Sequence, residues 1–156
     1  MINFSIVAFV AFINLILAFF ILRNKRRGVN LLFATVILCI ILWTIANYGA
    51  DVVSDYTIAL ILTRATFFAA SLIASLFLYF CILFPVPKNK QSIGVILSVF
   101  TPGILFAAIS FTHYIVPSIV QTPNGVDVNF NSLFLPFTLF FFIDGGGIYR
   151  FNQKIS

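Results

Sequence analysis

The sequence predicts an all-α fold, an integral membrane helical bundle of about five transmembrane helices with a small extracytoplasmic β-hairpin. Three observations predict it. Long apolar runs recur through the 156 residues, at 3–22, 29–48, 57–84, 92–111 and 133–150. A lipid core needs ~20 apolar residues per crossing helix, since only a backbone that satisfies its own hydrogen bonds is tolerated there. Composition agrees: 62% of residues are hydrophobic and 8% charged, with mean hydropathy +1.13, whereas soluble domains carry roughly a quarter charged residues. Finally, Lys and Arg gather at alternate ends of the runs. The chain reads as a single membrane domain.

Span one, 3–22, competes with a cleaved signal peptide. A basic start is missing, since only Met1-Ile2-Asn3 precedes the apolar run, and Arg23-Asn24-Lys25-Arg26-Arg27 follows as a stop-transfer flank. It is expected to be a retained anchor. Span two, 29–48, follows this short basic turn, so the two helices should pack as antiparallel neighbours. Gly49 and the segment from Asp51 to Asp55 read as a polar bend, with Ser54 or Asp55 capping the next helix.

Span three, 57–84, is long enough to tilt, and Pro85 ends it. Ala65/Ala69, Ala70/Ala74 and Ser71/Ser75 place small residues four apart, where a neighbouring helix can approach closely. Span four, 92–111, carries Pro102-Gly103 at its middle, a kink that serves either as a hinge or as a static bend. Span five, 133–150, is interrupted by Pro136, Asp144 and Gly145-Gly146-Gly147. Asn14 and Asn47 read as polar groups bonding across helices.

The connection 112–132 contains Ile119-Val120-Gln121 and Val126-Asp127-Val128 around Thr122-Pro123-Asn124-Gly125. β-branched runs flanking Asn-Gly predict a hairpin lid over the end of the bundle, against an irregular loop.

Charge sets the expected orientation. Arg23, Lys25, Arg26, Arg27, Lys88, Lys90, Arg150 and Lys154 lie on one side, and only Arg64 of the nine basic residues falls inside a span. The opposite connections hold Asp51, Asp55 and Asp127 with no Lys or Arg. Short basic loops stay cytoplasmic, so the N-terminus faces outward and the C-terminus inward across the cell (inner or plasma) membrane. The net charge of +5 does not indicate nucleic acid, because the basic residues punctuate spans instead of sharing a polar face.

Two intramembrane charges are the candidate site. Arg64 lies about two turns into span three, ~10 Å below the outer boundary at 1.5 Å per residue. A charge at that depth needs a partner or water, or else it snorkels to the headgroups. Asp144 is either a buried polar partner or the mark of a broken helix end reaching water. A pair of the two is conceivable, although their depths differ by several ångströms. Cys39 and Cys81 lack ligand spacing, and one His without any Glu leaves too few ligands for a metal; no cofactor is expected.

Several stretches together resemble a known family. They are Asn14-Leu15-Ile16-Leu17-Ala18 before the basic turn, Asn30-Leu31-Leu32-Phe33-Ala34, Leu42-Trp43, Thr63-Arg64-Ala65 and Phe80-Cys81-Ile82-Leu83-Phe84-Pro85. With the hairpin and the Tyr149-Arg150-Phe151 exit, they resemble the N-terminal seven-transmembrane-helix input region of bacterial sensor histidine kinases, here truncated to about five helices. The resemblance implies a module that converts a stimulus into helix rearrangement, with a histidine kinase partner or a homodimer as its associates. His113 falls at the outer end of span four, away from cytoplasmic ATP, and no Gly-rich phosphate cradle precedes a helix. The expectation is therefore a truncated or stand-alone sensor half that is not an enzyme. A small membrane transporter or channel subunit is the alternative, disfavoured because matched broken helices are missing from the two halves.

Overall fold

The computed structural model describes residues 4–23, 27–83, 92–123 and 125–139. Four helices follow one another, α1 (Phe4–Leu22), α2 (Arg27–Val52), α3 (Tyr56–Leu83) and α4 (Ile93–Ser110). Each is long and apolar enough to cross a membrane. They match the first four expected spans, with shifted ends. The fifth, 133–150, is seen only as a helical stretch at 134–139; the rest of it, Asp144 included, lies outside the described residues. Pro136 falls near the start of that stretch, where its missing N–H costs little.

The helix ends follow from side chains that replace lost backbone partners. Asp55, not Ser54, caps α3: its Oδ1 accepts the Ile58 N–H at 2.8 Å. Ser92 caps α4 by accepting the Gly94 N–H at 3.3 Å. The expected bend at Gly49 is displaced. Helix α2 runs through Gly49 to Val52, because Ala46 and Ala50, one turn apart, continue its buried stripe. The reversal into α3 is left to residues 53–55.

Each helix packs mainly on its chain neighbours, α1 on α2, α2 on α3 and α3 on α4. The result is a row more than a closed ring. Small side chains line much of its interior. Ala34, Ala46, Ala50, Ala59, Ala69, Ser71, Ser75, Gly103 and Ala107 are buried, whereas Phe4, Phe9, Phe12, Phe19 and Phe20 of α1 are exposed. Ala18, Ala34, Ile37 and Ile41 form the α1–α2 core. Among the expected cross-helix polar groups, Asn14 instead donates to Val10 O of its own helix at 2.9 Å. Asn30 makes a crossing bond, from α2 to Ile21 O of α1 at 2.9 Å.

The hairpin is present. Strands β1 (Ser118–Thr122) and β2 (Gly125–Asn129) pair antiparallel, with Ile119 opposite Val128 and Thr122 opposite Gly125. With Thr122 opposite Gly125, the reversal falls one position earlier than an Asn-Gly centre. Proline holds φ near −65°, so the positive-φ requirement moves to Gly125, whose φ is +136°. On the inner face, Ile119, Val126 and Val128 join Ala59, Ile115, Val116 and Phe137 in a second core at the hairpin end of the helices.

Replacing Asp55 with alanine removes the α3 cap and should cost about 0.5–2 kcal/mol. Denaturant titration of the protein in micelles, followed by circular dichroism, measures this; Ser54→Ala should leave the midpoint nearly unchanged.

Candidate functional site

Arg64 projects from α3 to the segment that follows α4. Its Nε and Nη2 both donate to Val116 O, at 3.1 and 2.9 Å, and its Nη1 donates to Phe111 O at 3.1 Å. A planar guanidinium is suited to this fork, since its donors are held at fixed angles. Phe111 is the C-cap of α4, so the cation also sits at the negative end of that helix's dipole. Carbonyls without a helical partner thereby gain a charged donor.

The same segment supplies the most deeply buried residues of the hairpin end. Ile115 and Val116 are fully buried, packed with Ala59, Ile119 and Phe137. Phe67 on α3 meets the rings of Phe130, Phe134 and Phe137 at centroid distances of 6.0, 6.3 and 5.5 Å. Asn131 N–H donates to Ile115 O at 3.2 Å. The lid is thus seated on α3 by apolar packing beneath and by Arg64 at its side.

Two polar contacts tie the hairpin to the far end of α2. Asp51 Oδ1 accepts the Val126 N–H at 3.0 Å, and Gln121 Nε2 donates to Val53 O at 3.0 Å. The carboxylate lies so close to Gly125 that a Cβ there would come within 2.7 Å of Oδ1. Asp51 was not singled out by its sequence context. Its position in a last helical turn that holds no basic residue is the signal that marks it.

The expected hinge at Pro102-Gly103 has a specific environment. Helix α4 continues through both residues, and Gly103 is buried against α3. A Cβ on Gly103 would overlap the Ser75 hydroxyl and lie 3.2 Å from Ser71 O. The buried hydroxyls of Thr63, Ser71 and Ser110 donate to carbonyls one turn back on their own helices. Ser75 Oγ is buried and makes no hydrogen bond to the described residues. It faces the glycine instead. The expected Ser71/Ser75 pair is therefore a place of close α3–α4 contact.

Of the sequence-predicted site residues, Arg64 meets backbone carbonyls, Pro102 and Gly103 form a helix contact, and Asp144 is outside the described residues. An Arg64–Asp144 pair likewise falls outside them. Comparisons with protein-family models, with curated proteins and with solved structures find no match.

Arg64→Ala should destabilise the lid by about 1.5–3 kcal/mol, the range for hydrogen bonds to a charged group, and Arg64→Lys should recover only part of it. Faster chymotrypsin cleavage in the segment 111–132, with the helices left intact, is the readout. Gly103→Ala should cost about 1–3 kcal/mol through overpacking, and adding Ser75→Gly should relieve it in a double-mutant cycle.

Proposed function

We propose that this chain is a non-catalytic sensory input module of a cell membrane. In this reading it crosses the bilayer about five times, with its N-terminus and hairpin outside and its C-terminus in the cytoplasm. It passes a stimulus on by helix rearrangement, as in the histidine-kinase input regions that its sequence resembles. The observation that carries the reading is the Arg64 fork. It joins the lid to the central helix α3, so a displacement of Val116 or Phe111 acts directly on a rigid element that reaches the opposite side.

Membrane embedding is supported by the distribution of side-chain sizes. Soluble cores enclose most of their large apolar groups; here Ala, Ser and Gly hold many of the buried positions, while most Phe and Leu side chains and many Ile side chains of the helices face outward. Lipid accepts those large groups at no cost. The orientation rests on Lys and Arg, which are confined to the basic connections apart from Arg64. His113 lies in the turn after α4, at the hairpin end, which suits an input role and not a phosphate acceptor.

Cysteine labelling in a Cys39→Ala, Cys81→Ala background should modify Val120→Cys from outside intact cells and Ser92→Cys only after permeabilisation. Spin labels at Ile82 and Gly94 should then report the coupling. Arg64→Ala is expected to shift their separation by about 1–2 Å or more, the scale of helix displacements in switching proteins. An unchanged separation, with solute flux through proteoliposomes, would favour the transporter reading.

A further inference from the structure

The crevice between the end of α2 and the hairpin turn has an electrostatic imbalance. It has a volume of about 200 Å³ and is lined by Asp51, Ser54, Gln121 and Thr122 together with Val52, Val53, Gly125 and Val126. Helix α2 ends there, and the carbonyls of Ala50, Asp51 and Val52 receive no backbone N–H from the described residues. A helix C-terminus carries partial negative charge and ordinarily attracts Lys or Arg. Here it carries a carboxylate, and neither connection at this end contains a basic residue. Arg64, the cation of this half, does not line the crevice and is engaged with Val116 and Phe111.

We infer that this crevice binds a primary ammonium group, carried by a small solute or by an ethanolamine lipid headgroup. One Asp51 oxygen holds the Val126 N–H, which leaves its second oxygen to accept. The side-chain oxygen of Gln121 is also open, because its amide nitrogen is the atom bonded to Val53. A three-donor ammonium can address this carboxylate, the amide oxygen and the helix-end carbonyls together. The space exceeds what a bare ion fills and leaves room for a short amine. Metal ligation is disfavoured, since no three Asp, Glu, His or Cys side chains converge among the described residues. Quaternary ammonium is disfavoured too, because no aromatic ring lines the space. The assignment goes beyond the sensory reading and stands without it.

Isothermal titration of the full chain in phosphatidylcholine nanodiscs with ethanolamine tests it. Saturable binding is expected, with tetramethylammonium and sodium chloride at equal ionic strength inactive. Asp51→Asn keeps an acceptor for Val126 but removes the charge, and should weaken binding ~10-fold or more. Asp127→Asn removes an equal charge from the same face of the protein outside the crevice, and should leave the affinity intact. Loss of the ethanolamine signal in phosphatidylethanolamine nanodiscs would identify the headgroup as occupant, and its retention a free solute. Equal affinity in Asp51→Asn and the parent, or no binding of ethanolamine in phosphatidylcholine together with no stabilisation by phosphatidylethanolamine, would overturn the proposal.

Discussion

A guanidinium inside an apolar helix row must find oxygen atoms, and the organisation of the hairpin end depends on how Arg64 finds them. Its donors reach Val116 O and Phe111 O, which lie at the end of α4 and in the turn beyond it. Both carbonyls belong to backbone that has just left a helix and lost its regular partners. The charge and the orphaned carbonyls are complementary problems with one solution. Because that solution joins residues 47 and 52 positions apart, it also sets where the lid stands relative to α3.

Packing below the lid obeys a different constraint. Helices that gain little from burying large apolar groups hold together by approaching closely, and close approach requires small residues on the facing surfaces. The Ser71, Ser75 and Gly103 contact is the clearest case. Glycine lets the α4 backbone rest on the serine side chains, while Pro102 beside it is accommodated without ending the helix. At the hairpin end, aromatic rings gather around Phe67.

Much of this fold was legible residue by residue. Continuous apolar runs located α1 to α4, and Ser54 or Asp55 marked the start of α3 by the ability to accept free amides, a role the structure gives to Asp55. β-Branched segments around a Pro-Asn-Gly turn located the hairpin. Register was less legible. Proline's restricted φ moved the turn by one position, an effect that competes locally with the Asn-Gly preference. The end of α2 lies beyond the expected residue 48 for a related reason: a glycine suggests a bend, but the buried stripe of Ala46 and Ala50 carries the helix past it. Asn14 turned back on its own helix because Val10 O lies within reach one turn away.

The sequence alone determined that this chain forms long apolar helices joined by short connections, with a hairpin after the fourth, because hydropathy, capping and turn chemistry act over a few residues. It also placed Arg64 where a charge needs a partner or water, or else snorkels to the headgroups. Only the tertiary structure decided which partners those are, that Asp51 meets Val126, and that Gly103 rests on Ser75. Those contacts join residues 28 to 75 positions apart. Their geometry depends on how helices stack in three dimensions, which no local pattern encodes.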